Sequence, residues 1–326
     1  MFDFNLSFSA VVNADELYDL IIIGGGPAGL TAGLYASRYK LKTLLLEKAI
    51  VSGGQLTSTE WVENYPGFPE PILGQKLAKD METQAKSFGL EIAVETVTAV
   101  NLVPNIKEVI TEINTFRAKT VLIATGSSSR KLGIDGELDY VGRGVSYCAT
   151  CDGPFYPDKV VAVAGGGNSA FEESLFLAKY ATKVIILHRG STFKADPIIK
   201  ERVFAHPKIE VRTDVQINSI QFNDESDRHL QISDSKTNEK QKLNVDGLFV
   251  FVGSIPNTEL FSGQIELENG YIVTDRTHQC SVSGVWAAGD VQAKALRQVA
   301  TAVGDGACAA YWIHKYIEDF DHARTT

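Results

Sequence analysis

Cysteine is scarce in this chain. Four in 326 residues are too few for a disulfide scaffold, which points to a reducing, cytoplasmic compartment. Basic charge is scarce too. A formal net charge of −9 leaves no basic face of the kind that grips phosphate backbones, so a nucleic-acid binder is excluded. No apolar run approaches the roughly 18 residues that cross a bilayer, so no membrane partner is expected. Residues 1–16 carry Asp3 early and no Lys or Arg. They lack the charged start of a secretory signal and read as a short extension before the first strand. Metal-ligand spacing is missing as well. Cys280 and Cys308 stand alone, and the six histidines show no paired spacing with them. No metal site is therefore expected, and both cysteines read as small core residues.

What is present is nucleotide chemistry. The length suggests about two domains, and 44% hydrophobic residues is ordinary for well-filled cores. An apolar run at residues 20–23 leads into Gly24-Gly25-Gly26-Pro27-Ala28-Gly29 and then a helical stretch through Arg38. In this strand–turn–helix setting Gly24 permits the tight turn. Gly26 lets backbone amides approach a pyrophosphate, and Gly29 allows close helix–strand packing. The next apolar strand, 43–46, ends in Glu47, suited to an adenosine ribose.

The pattern recurs. An apolar strand at 160–164 is followed by Gly165-Gly166-Gly167-Asn168-Ser169-Ala170, a helix expected from about Ala170, and a strand at 184–187. That strand ends in His188-Arg189 instead of an acid. A cation there suits the 2′-phosphate of NADP, which a carboxylate would repel; a solvated surface arginine is the plainer alternative. Residues 121–124 and 249–253 read as further strands. A last one, 285–290, ends in Asp290, where open parallel sheets place ligands. Residues 223–242 are polar and read as a solvated hairpin or loop. The fold class is thus α/β, with two Rossmann-like, three-layer nucleotide-binding domains, the second inserted into the first. The expected boundaries are 1–127 with 254–326, and 128–253.

Just upstream of the second fingerprint stand Cys148-Ala149-Thr150-Cys151 and Asp152. This spacing brings two sulfurs within bonding reach, and local amides can lower one thiol's pKa. Half a zinc site or an inert structural disulfide are the competing readings, and Asp152 is either a proton donor or a cap.

Together these residues closely resemble the low-molecular-weight thioredoxin reductases, from about Asp19 onward. Gly53-Gly54-Gln55-Leu56, Glu63-Asn64-Tyr65-Pro66-Gly67, Ala124-Thr125-Gly126, Ala288-Gly289-Asp290 and Arg297-Gln298-Val299-Ala300 support the likeness. The resemblance implies FAD on the first fingerprint, with Glu47, Gly54, Gln55, Asn64, Gly126 and Asp290 around it and Arg297, Gln298 and Val299 at the flavin ring. It implies NADPH on the second, near Asn168, Ser169, Glu172, His188 and Arg189. It also implies a homodimer, an inserted domain that rotates, and thioredoxin as partner. Cys151 would face the flavin, Cys148 would attack the partner's disulfide and Asp152 would act as general acid. The family usually has two arginines where this chain has Gly190 and Lys194. Losing one such partner costs about 1–3 kcal/mol of phosphate affinity, and Lys194 restores part of it as a point charge. NADPH is expected as donor with a weakened preference over NADH. A non-nicotinamide donor such as ferredoxin, or a different thioredoxin-like partner, stands as the alternative. A nucleotide sensor without turnover is the reading from another class.

Overall fold

The computed structural model describes residues 12–59, 61–223 and 227–325. Part of the N-terminal extension, residues 1–11, lies outside them. The chain forms two compact units, Met1–Ser127 with Pro256–Thr326, and Ser128–Ile255. The two connecting segments, Ser127–Ser129 and Ser254–Pro256, pair with each other as a two-stranded ribbon.

In the first unit the strand Leu17–Ile23 pairs in parallel with Thr43–Glu47 on one side and Thr115–Ile123 on the other. Val285–Ala287 adds beside Thr115–Ile123, again in parallel. The apolar run through residues 20–23 is continuous because both of its faces are covered, the pattern of a parallel sheet. Ile21 and Ile23 enter one core cluster, while Leu20 and Ile22 enter another with residues of the helices Pro27–Arg38 and Val299–Thr325. Each such side chain contributes about 1.5–3 kcal/mol on burial. The two helices approach closely, since a Cβ on Gly306 would collide with the Ala28 carbonyl oxygen.

The second unit is built the same way. Five parallel strands run in the order Val145–Ser146, Gly247–Phe251, Val160–Gly165, Lys183–Leu187, Ile209–Arg212. Val161 and Val163 face a helical layer that includes Phe171 and Val203. Ala162 and Ala164 face the three-stranded antiparallel sheet Val215–Phe222, Arg228–Asp234, Lys240–Asn244. Both units are therefore three-layered α/β sandwiches, as the sequence leads one to expect. Two local expectations shift. The second helix starts at Asn168, two residues early, because Gly167 already has extended, N-cap backbone angles. The polar stretch 223–242 contains the expected hairpin, Arg228–Asp234 paired with a strand from Lys240, but it is not merely solvated, for His229, Leu230 and Ile232 within it are buried. Residues 224–226 fall outside the described part.

Candidate functional site

Cys148 and Cys151 form a disulfide in the second unit. Cys148 caps the one-turn helix Ala149–Asp152, and its Sγ accepts the Cys151 N–H at 3.2 Å. The Thr150 hydroxyl lies 3.3 Å from the same sulfur. Ser146, buried, braces the turn: its hydroxyl accepts the Cys148 N–H at 3.0 Å. Donors therefore converge on Cys148, which favours its thiolate once the bond is reduced. Residue exposure ranks the two cysteines differently, with Cys151 exposed and Cys148 half-buried. The Asp152 side chain makes no cap hydrogen bond to the following turn Gly153–Phe155, which weakens the capping alternative. Cys280 is buried, and burial pushes its thiol up to about 12; Cys308 is half-buried on the last helix. Among the described residues no group of side chains is arranged to hold a metal.

Sequence reading missed what holds the dithiol segment. Glu137, only 1% exposed, accepts the N–H groups of Leu132 at 2.8 Å and Gly133 at 2.7 Å and the hydroxyl of Tyr147 at 2.7 Å. Tyr147 is the residue before Cys148. Burial alone pushes the Glu137 carboxyl up, but the Leu132 N–H, the Tyr147 hydroxyl and the Gly133 N–H outweigh it and hold the group below the usual range. A depressed carboxylate stabilises the fold above the unfolded-state value and loses that contribution as pH falls through the folded one. Glu137→Gln should thus cost about 1.5–3 kcal/mol near neutral pH, and the difference from wild type should shrink under acid. Urea unfolding at about pH 7 and about pH 3 measures both; equal stability at neutral pH would contradict it.

The first unit carries the first glycine turn. Gly24 has φ +108°, and a Cβ there would collide with the Ala124 carbonyl oxygen. Gly29 packs on Gly24 itself. The helix Pro27–Arg38 starts with Gly26 as N-cap, no side-chain cap and no acid in its first turn. Its N–H groups are thus open to an anion. Gly54 comes against Gly26, backbone to backbone. The Glu47 carboxylate accepts the Gly25 N–H at 2.7 Å and the Ala49 N–H at 2.9 Å. Gln55 Nε2 lies 3.3 Å from both Asp290 Oδ2 and Ser127 Oγ. Asn64 donates to Gln298 at 3.1 Å. Arg297 lies 3.9 Å over the Tyr271 ring and donates to the carbonyls of Asp290 and Gln292. Val299 opens the last helix, and Gly126 adopts φ +64° at the end of the first segment. Burial pushes the Asp290 carboxyl up, against the pull of Lys294 and Arg297. Residues from four separate stretches thus meet at the carboxyl ends of the strands. Asp305 is a further missed member: it accepts the Gly289 N–H at 3.1 Å and pairs with Lys294.

The second glycine turn lies in the second unit. Gly165 has φ +153° against the Phe251 carbonyl, whereas a Cβ on Gly167 would meet nothing within 4 Å. The helix Asn168–Leu177 again lacks a first-turn acid and a side-chain cap. Asn168 is committed inside the unit, donating to Asp196 Oδ2 at 2.8 Å and accepting the Asp196 N–H at 2.7 Å. His188 is likewise packed, its ring under Gly166 and its Nε2 2.9 Å from the Thr192 carbonyl. Ser169, Glu172, Arg189 and Lys194 are exposed. Lys194 is tied to the turn by its own N–H, which donates to the Gly166 carbonyl at 2.9 Å. Both cradles, glycine-walled and free of acid at the helix start, fit dinucleotide phosphates.

Comparison with known proteins agrees with this chemistry. The pattern of the pyridine nucleotide-disulphide oxidoreductase family matches residues 18–306. The chain is 42% identical to the thioredoxin reductase of Treponema pallidum over 92% of this chain and 97% of that one. It is 40% identical to that of Bacillus subtilis over 97% and 99%. The crystal structure of Lactococcus lactis thioredoxin reductase superposes with a TM-score of 0.89 at 41% identity, covering 93% and 99% of the two chains.

Proposed function

The chain belongs to the thioredoxin reductases of the pyridine nucleotide-disulphide oxidoreductase family, and from that premise we propose that it passes electrons from NADPH through FAD and the Cys148–Cys151 disulfide to oxidised thioredoxin. The observation that carries this reading is the disulfide itself, on a one-turn helix whose N–H and hydroxyl donors converge on one sulfur. When bound, FAD supplies a two-electron carrier between a nicotinamide and a disulfide.

The first glycine turn would hold it, through Gly24, Gly26, Pro27, Ala28, Gly29, Glu47, Gly54, Gln55, Asn64, Gly126 and Asp290, with Arg297, Gln298 and Val299 toward the ring. Gly165, Gly167, Ser169, Glu172, Arg189 and Lys194 would hold NADPH. Asn168 and His188 would act there mainly by shaping the turn, since their side chains are bonded within the unit.

Once the dithiol is reduced, the Cys148 thiolate attacks one sulfur of the thioredoxin disulfide. That bond breaks, and its other sulfur leaves as a thiolate that takes a proton. Cys151 then attacks Cys148 in the mixed disulfide, which releases the second thioredoxin thiol and restores the Cys148–Cys151 bond. Two electrons have moved to thioredoxin, and the exchange follows ordinary thiolate attack. Asp152, next to Cys151, is the proton donor to the released thiolate. The reading also includes a homodimer and a cytoplasmic setting; no helix among the described residues is long and apolar enough to cross a membrane.

The test is optical. Purified protein should be yellow, bleach anaerobically with NADPH and recolour with oxidised thioredoxin. Asp152→Asn should slow thioredoxin turnover about 10²-fold while NADPH bleaching persists. A protein that never bleaches, or that bleaches but ignores thioredoxin, would end this reading.

A further inference from the structure

The nicotinamide-nucleotide cradle has an element that no fingerprint contains. A 2′-phosphate is read where the second strand of a dinucleotide fold ends, and cations there set the preference for it. In this chain that end is His188-Arg189-Gly190, following the strand Lys183–Leu187. Gly190 has no side chain to offer.

The bend leading into the strand Val215–Phe222 supplies what stands beside it. Asp214 donates its N–H to the Gly190 carbonyl at 3.1 Å, and Val215 donates to His188 at 3.0 Å. The Asp214 carboxylate is ion-paired with Lys236 at 2.9 Å. Asp214 therefore touches both the Gly190 backbone and the Lys236 ammonium.

Lys236 is held there by its own loop. Ser235 donates its N–H to the Asp214 carbonyl at 2.7 Å. The Asp234 carboxylate accepts the N–H groups of Lys236 and Thr237, each at 2.8 Å. The turn that carries the lysine is thus closed on itself and seated on Asp214. The side chain beyond it is 68% exposed, so the ammonium has room to move toward a ligand.

Resting on the NADPH reading above, the geometry points to Lys236 as a specificity-determining residue: a third cation, with Arg189 and Lys194, for the adenosine 2′-phosphate. Asp214 parks the ammonium beside the site and neutralises its own charge against it. A dianionic phosphate then draws the ammonium as a point charge, without the planar fork of arginine.

Calorimetry on the FAD-loaded full chain tests this with 2′,5′-ADP and 5′-AMP, which differ only at the 2′ position. Lys236→Ala should weaken 2′,5′-ADP about three- to tenfold, leave 5′-AMP unchanged, and lessen the salt dependence of 2′,5′-ADP binding. Lys236→Arg should restore it. Equal affinity of wild type and Lys236→Ala for 2′,5′-ADP, or parallel loss of both nucleotides, overturns the assignment. Failure of the wild-type chain to bind either nucleotide would instead overturn the NADPH reading itself.

Discussion

Replacing either sulfur should lower thioredoxin turnover at least about a thousandfold, because two groups that act as one unit fail together. The two replacements should nevertheless differ in what they leave behind. Cys151→Ser retains the sulfur on which the Cys151 N–H and the Thr150 hydroxyl converge. It should accumulate a mixed disulfide with thioredoxin, visible on a non-reducing gel and by intact mass. Cys148→Ser keeps the sulfur of the more exposed residue and should trap little. Bleaching by NADPH should survive in both. Turnover at the native rate by Cys151→Ser would dissolve the proposed relay, and trapping by the Cys148→Ser form alone would exchange the roles of the two sulfurs. The second outcome is a live contest between donors and exposure, since those two observations rank the cysteines in opposite orders.

Gly24→Ala should cost about 2–6 kcal/mol of stability and strip most of the FAD during purification. Two separate penalties add. A side chain at φ +108° is held in a sparsely populated backbone region at about 1–3 kcal/mol. The new methyl also meets the Ala124 carbonyl, and overpacking of that kind costs about 1–3 kcal/mol. Gly126→Ala is the matched control, because Gly126 has φ +64° but nothing within 4 Å of its missing Cβ. It should lose only the backbone part, about 1–2 kcal/mol. Thermal midpoints compare the two variants, and the flavin-to-protein absorbance ratio reads the FAD loss of Gly24→Ala. Equal behaviour of the two variants would show that the Ala124 contact carries no weight.

Much of this was legible in the chain because it is local. Apolar runs of four residues, a glycine triplet and the charge that follows are properties of short stretches, and the backbone rules acting on them are short-ranged. The sequence alone therefore located both glycine turns, the dithiol with its neighbouring acid, and the α/β class. Its small errors were at edges, such as the start of the helix at Asn168, where capping angles and not composition decide.

What only the tertiary structure decided is which distant groups share a space. Glu137 reads in sequence as one more surface acid among many, yet it is buried and holds Tyr147 against the dithiol. Asp305 reads as a helix residue, yet it braces Gly289 sixteen positions away. Lys236 sits in what composition calls a solvated hairpin or loop, yet pairing of that hairpin with Val215–Phe222 seats it on Asp214. Such meetings depend on sheet register and on helices crossing at glycine, as Gly306 does at Ala28. These are sums over many weak contacts along the whole chain, and no short window of residues contains them.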